Sequence, residues 1–150
     1  MTLTEQINDA IKEAMKSKNK DRLDALRAVK SALLLAATEK GAGGGVSEDT
    51  GLKVLQKLVK QRRESSEIYI SQQRVDLSEI ELRQAAIIEE FLPAQMLPEE
   101  VTAAITEIIA LTGAAQPSDM GKVMGIANAR LAGRADGKLI ADTVRRLLAS

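Results

Sequence analysis

The sequence predicts an all-α protein, with an N-terminal four-helix region followed by a small C-terminal three-helix unit. Three observations carry that reading. Apolar residues recur at spacings of three and four along almost the whole chain, and no stretch alternates with the period of two that a half-buried strand needs. Capping residues stand just ahead of several periodic stretches, as in Thr2 with Glu5, or Ser47 before Glu48 and Asp49. Breakers fall between those stretches, chiefly GAGGG at 41–45, the prolines Pro93 and Pro98, and Gly113.

The first helix places Leu3, Ile7, Ile11 and Met15 on one face behind the Thr2–Glu5 capping box. The second runs from about Asp21 with Leu23, Leu26, Val29, Leu33 and Leu34 inward, and stops at Gly41. GAGGG is a flexible connector, and Ser47 caps a third helix that turns Leu52, Leu55 and Val59 inward and continues to about Gln72. A fourth begins near Asp76, in the pattern D-x-x-E to Glu79, and ends at Leu92 before Pro93. The stretch FLPAQMLPEE then reads as a linker, giving domains at 1–92 and 99–150 joined by 93–98. Pro98 suits the first turn of a fifth helix bearing Val101, Ile105 and Ile108 and ending at Gly113. A sixth spans about Ser118 to Ala132. The last runs from Asp136 to the C-terminus and buries Ile140, Val144 and Leu147.

Composition narrows the chemistry. The chain has 150 residues, no Cys and no His, so it lacks a thiol nucleophile, a thiolate metal site and the commonest general base. No catalytic, metal-binding or cofactor-binding residue is expected. No apolar run reaches the roughly 20 residues needed to span a bilayer, and the N-terminus lacks the features of a signal peptide, so the expected location is the cytoplasm. No membrane partner is expected, and a monomer is favoured. The net charge of zero hides a segregation: residues 1–63 carry +5, residues 64–107 carry −8 and residues 108–150 carry +3.

Glycines beside basic residues raise the question of a phosphate cradle. GRADGKL fails the P-loop pattern in its spacing, in ending at Leu139 and in following a helix. GAGGGV fails the dinucleotide fingerprint, because Val46 stands at the third glycine position and no βαβ unit surrounds it. Gly133 fits a left-handed helix end, and Asp136 can cap the next helix, which makes LAGRADG a tight corner. Gly121 and Gly125 share a helix face, and each costs about 1 kcal/mol relative to Ala. They allow either a close contact with a neighbouring helix or the approach of a phosphate backbone beside Lys122.

The run LKVLQKLVKQRR, residues 52–63, holds five cations and no acid. Lys53, Lys57 and Lys60 fall at i, i+4 and i+7, a continuous helical stripe that Arg63 extends while Arg62 turns away. Lys122, Arg130, Arg134 and Lys138 form a second candidate patch around the glycine corner. With only Tyr69 and Phe91, the chain cannot build the aromatic platform on which single-strand readers stack bases. Binding to RNA would follow phosphate and shape. The carboxylate neighbours Glu89–Glu90 and Glu99–Glu100 diverge by about 100° on a helix and so read as surface charge. Arg74 reads as a corner arginine pairing with Asp76 and Glu81.

Six motifs in order give the chain a resemblance to the YqeY family, the stand-alone form of the GatB/YqeY domain. They are LRAVKSAL (26–33), VKQRRES (59–65), R-x-D-L-x-x-x-E at Arg74, Asp76, Leu77 and Glu81, FLPAQM (91–96), DMGKVMG (119–125) and LAGRADG (131–137). The resemblance covers essentially the whole chain. It implies a helical N-terminal part followed by a small three-helix part. It also implies a role, since a similar domain forms the tail of the B subunit of the tRNA-dependent amidotransferase. There the domain looks like a tRNA-binding appendage, with the chemistry elsewhere. The leading expectation is therefore a non-catalytic tRNA-binding or tRNA-associated module. The alternative is an interaction protein docking on an aminoacyl-tRNA synthetase or amidotransferase component. A second alternative, carbon–nitrogen ligase activity with glutamine as amide donor, comes by family label only and has no support in the residues.

Overall fold

Seven α-helices make up most of the described residues, 1–39 and 46–149 of the computed structural model. They are α1 (Leu3–Lys16), α2 (Lys20–Glu39), α3 (Glu48–Ser71), α4 (Val75–Glu89), α5 (Pro98–Thr112), α6 (Met120–Arg130) and α7 (Gly137–Ala149). A 3₁₀ turn, Pro117–Asp119, leads into α6, and no strand occurs among the described residues. The fold is all-α. The expected end of the second helix at Gly41 and the GAGGG connector lie outside the described residues.

Helix ends follow local chemistry. Thr2 and Glu5 form the capping box of α1, and the Ser47 hydroxyl accepts the Thr50 N–H at 3.3 Å to start α3. Pro98 opens α5, and Gly113 closes it at φ +70°, a left-handed conformation that suits glycine. Two starts differ from the sequence reading. The Asn19 carboxamide oxygen accepts the Arg22 N–H at 3.1 Å, so α2 is capped one residue before its first turn. In α4 the N-cap is Arg74, and Asp76 lies inside the first turn, where it pairs with Arg74 instead of capping.

Contacts divide the chain into two units, Met1–Leu92 with α1 to α4 and Pro93–Ser150 with α5 to α7. In the first, Ile7, Ala14, Ala25, Leu26, Val29, Leu33, Leu55, Val59, Ala85 and Ile88 are buried together. Met15 and Leu34, expected inward, are instead exposed. The i+4 spacing from Leu3 to Met15 drifts about 40° per step, so Ala14 takes the last inward place. Leu34 stands about 100° from the buried Leu33 and faces out for the same reason.

The α3–α4 hairpin carries one buried polar contact, a 2.6 Å hydrogen bond between the hydroxyls of Ser66 and Ser78. It also fixes the antiparallel register of the pair. At the other end of α4, Arg22 of α2 bonds Glu90 at 2.9 Å with its guanidinium 6.0 Å from the centre of the Phe91 ring.

In the second unit Val101, Ile105, Ile108, Val123, Ala127, Leu131, Ile140, Val144 and Leu148 form an aliphatic core. Residues read as linker take part in this unit. Gln95 Nε2 donates to the Gly133 carbonyl at 2.7 Å, Met96 N–H to the Arg134 carbonyl at 2.9 Å, and Met96 packs on the core. The motifs FLPAQM and LAGRADG thus meet: at the corner, where Gly133 has φ +74°, the Gly133 carbonyl accepts the Gln95 side-chain amide and the Arg134 carbonyl the Met96 backbone N–H.

Replacing Ser66 alone with Ala strands the buried Ser78 hydroxyl and should destabilise the protein by about 1–3 kcal/mol. Replacing both serines with Ala should cost less than the sum of the single variants, because no orphan remains. Urea melts of the two single variants and the double variant measure this coupling.

Candidate nucleic-acid interface

The geometry of α3 decides which cations are displayed. Leu55, Val59 and Ser66 are buried on one side of the helix, which forces Lys53, Lys57 and Lys60 onto the other, where all three are exposed. Among the described residues, no carboxylate pairs with Lys53 or Lys57. Arg62 turns back, its Nε donating to Gln84 Oε1 at 3.1 Å and its Nη1 to the Leu58 carbonyl at 3.2 Å. Arg63 is bound to Glu89 of α4, so its charge is compensated within the hairpin. Lys53 and Lys57 remain uncompensated, and Lys60 is exposed one turn further on.

The second candidate patch is spread over three elements. Lys122 and Arg130 lie on α6, Arg134 in the corner, and Lys138 in the first turn of α7. Arg130 stands 3.8 Å from Glu107 of α5, and Arg134 Nε donates to the Ala94 carbonyl at 3.4 Å. Both arginines have partners within the unit, and Lys122 and Lys138 are its displayed lysines. In α7, Lys138 N–H donates to Asp136 Oδ1 at 3.4 Å, the cap expected at that corner.

Gly121 and Gly125 are both exposed, and a Cβ built on either would meet nothing within 4 Å. Neither glycine makes the close helix contact that the shared face would allow. Such a contact occurs instead at Gly51, buried in the first turn of α3, where a Cβ would stand 2.8 Å from Leu3 Cδ2 of α1. The start of α6 follows directly on the 3₁₀ turn: Met120 N–H donates to the Pro117 carbonyl, and Asp119, the N-cap residue, makes no side-chain bond to α6. Asp119 Oδ2 accepts the N–H groups of Ala115 and Gln116 at 3.0 and 3.1 Å. Those bonds, from Ala115 first and Gln116 next, with the charge of Lys122 adding less, hold its pKa below the ordinary aspartate value. Negative charge already sits beside Gly121, which disfavours a phosphate there.

The remaining charged motifs are structural. Glu89 and Glu90 reach different partners, Arg63 and Arg22, and Glu100 accepts the Leu97 N–H at 2.9 Å to cap α5. Arg74 forms a two-bond pair with Asp76 at 3.2 and 3.1 Å, which raises the arginine pKa and lowers that of the aspartate. Among the described residues, Arg74 pairs with Asp76 and not with Glu81. Tyr69 and Phe91 are each half-buried, and Phe91 lies beneath Arg22, so they form no open stacking surface. No group of three or more Asp or Glu among the described residues is arranged to hold a metal, and no described helix is long and apolar enough to cross a membrane.

Sequence reasoning missed Asn19, Gln95 and the Ser66–Ser78 pair. Asn19 had a readable signal, since asparagine is a preferred cap ahead of an apolar-periodic stretch. Gln95 and the two serines had none, because their partners lie 38 and 12 residues away.

The family described as Yqey-like protein matches residues 4–148, nearly the whole chain, and the chain belongs to the YqeY family. No curated protein matches it.

Two outcomes follow from this geometry. Gly121→Ala and Gly125→Ala each remove a helix penalty without meeting a neighbour, so each should stabilise the protein by up to about 1 kcal/mol, roughly 2–4 °C in a thermal melt. Asp119 contributes stability only while ionised. Its folded pKa lies below the unfolded one, so that contribution is full above about pH 4 and is lost as pH falls through the lower folded value. Asp119→Ala should therefore melt below the parent at neutral pH, and the gap should narrow as melts are repeated toward about pH 3.

Proposed function

We propose that this member of the YqeY family is a non-catalytic RNA-binding module that recognises folded RNA, and tRNA first, through its phosphate backbone. The observation that carries the reading is the exposed lysine stripe of α3, Lys53 and Lys57 with Lys60 beyond them, against a buried Leu55–Val59 stripe. The resemblance to the amidotransferase tail domain supports tRNA as the RNA, and the four-plus-three helix arrangement agrees with that domain's two-part architecture. The protein would act in the cytoplasm as an accessory to enzymes that handle aminoacylated tRNA.

Recognition by charge and shape fits the side chains available. Lysine offers a mobile point charge suited to phosphate oxygens, while the planar fork of arginine suits fixed carboxylates. Here the arginines near the stripe are held by Gln84 and Glu89, and the lysines project outward. Lys122 and Lys138 would add contacts in the second unit. Half-buried aromatics argue against base stacking, so preference among RNAs would follow the spacing of phosphates.

Titration of folded tRNA by fluorescence anisotropy tests the proposal. Three phosphate contacts imply a loss of affinity of roughly 20- to 40-fold between about 50 and 200 mM salt. Charge reversal in Lys53→Glu/Lys57→Glu should remove most of the binding and flatten that dependence, with an unchanged thermal melt. Binding that ignores salt, or an unaffected double variant, would contradict the role of α3.

A further inference from the structure

Toward the closed end of the α3–α4 hairpin, beyond the lysines of α3, apolar groups are exposed where acidic charge is highest. Val75, Glu79, Leu82 and Ala86 recur at i, i+4, i+7 and i+11 along α4, and all four are exposed. On α3, Arg63, Glu67 and Ile70 follow the same spacing and are also exposed. The Arg63–Glu89 pair joins these two rows, because Glu89 continues the α4 row one turn beyond Ala86. The Ser66–Ser78 bond sets the register that places Ile70 across from Val75 at the closed end of the hairpin. Ile70, Val75 and Leu82 are 55%, 59% and 46% exposed, values at odds with their apolar character. None of them packs on the core of the unit.

We infer that this face docks an amphipathic, basic helix of a partner protein. Charge chooses the occupant. Residues 64–82 hold five carboxylates and one cation, Arg74, which Asp76 already neutralises. No described Lys or Arg pairs with Glu67 or Glu79, which flank the apolar row. A second helix laid along the shallow trough between α3 and α4 would bury its own apolar stripe on Ile70, Val75 and Leu82. Its lysines and arginines would face Glu67 and Glu79. From Val75 to Ala86 the row runs about 16 Å, room for three turns of such a helix. A phosphate backbone is repelled by the same carboxylates, so this face and the lysine stripe select opposite kinds of partner on one helix pair. The inference does not depend on RNA binding.

The test uses the full chain and three synthetic peptides of about 18 residues, a length that offers the needed turns. The first has leucines at helical i, i+3, i+4 and i+7 positions among lysines. The second has the same composition with the leucines scrambled, and the third keeps the leucine pattern among glutamates. The first peptide should bind at least about tenfold more tightly than the scrambled control, since two buried aliphatic side chains alone supply that difference, and more tightly than the glutamate control, which Glu67 and Glu79 repel. Val75→Ser/Leu82→Ser should erase the preference for the first peptide over the second, and Glu67→Lys/Glu79→Lys its preference over the third. Both variants should keep the parent's melting temperature, since the changed side chains are exposed, and Val75→Ser/Leu82→Ser, on α4, should also keep its tRNA affinity. Equal binding of patterned and scrambled peptides, or no effect of Val75→Ser/Leu82→Ser, would overturn the proposal. So would concentration-dependent self-association in sedimentation that the serine variant abolishes, because the occupant would then be a second copy of this chain.

Discussion

The inward packing of α3 is the constraint on which the rest of the first unit depends. Leu55, Val59 and Ser66 lie along one side of a helix of 24 residues and are buried against the neighbouring helices. Burying each large aliphatic side chain is worth about 1.5–3 kcal/mol, more than any exposed ion pair on the same helix. The hydrophobic side therefore decides the rotation of α3, and the charged residues take what that rotation leaves. Lys53, Lys57 and Lys60 face out because Leu55 and Val59 face in. The same rotation brings Arg62 and Arg63 to the α4 side, where Gln84 and Glu89 receive them.

Around α3 and in the second unit, arginines are mostly bound within the protein while several lysines are displayed. Arg22, Arg62, Arg63, Arg74, Arg83, Arg130, Arg134, Arg145 and Arg146 each bond or pair within the protein. Most of these partners are carboxylates or carbonyls at fixed positions, which suit a planar fork of donors. Lys53, Lys57, Lys122 and Lys138 are exposed. Surface pairs of this kind add little stability individually. Where the partner is a carboxylate, as for Arg63 and Glu89, the larger effect is to cancel arginine charge locally, which leaves lysines toward one end of α3 and carboxylates toward the other.

Much of the fold was legible because it rests on local rules. The caps at Thr2 and Ser47, the proline start and glycine end of α5, and the left-handed Gly133 each depend on residues within a few positions of one another. Errors arose where a pattern had to be projected through space. Met15 and Leu34 sit at the edge of an apolar stripe, where a helix that repeats every 3.6 residues drifts off a spacing of four. Gly121 and Gly125 carried the signature of a close contact, but whether another helix arrives depends on tertiary placement that spacing does not encode. The candidate site was legible as a lysine stripe, because amphipathicity is a property of one helix. That Arg63, Arg130 and Arg134 have partners inside the fold was not, since those partners lie 26, 23 and 40 residues away in sequence.

The claim that α3 turns its lysines toward RNA can be read residue by residue. Lysines acetylated in free protein and in protein saturated with folded tRNA at low salt can be compared by mass spectrometry. The account predicts that Lys53 and Lys57 are protected, whereas Lys16 and Lys30, on α1 and α2, react as they do in the free protein. Protection spread evenly over all surface lysines, or Lys53 and Lys57 left fully reactive in the complex, would contradict it.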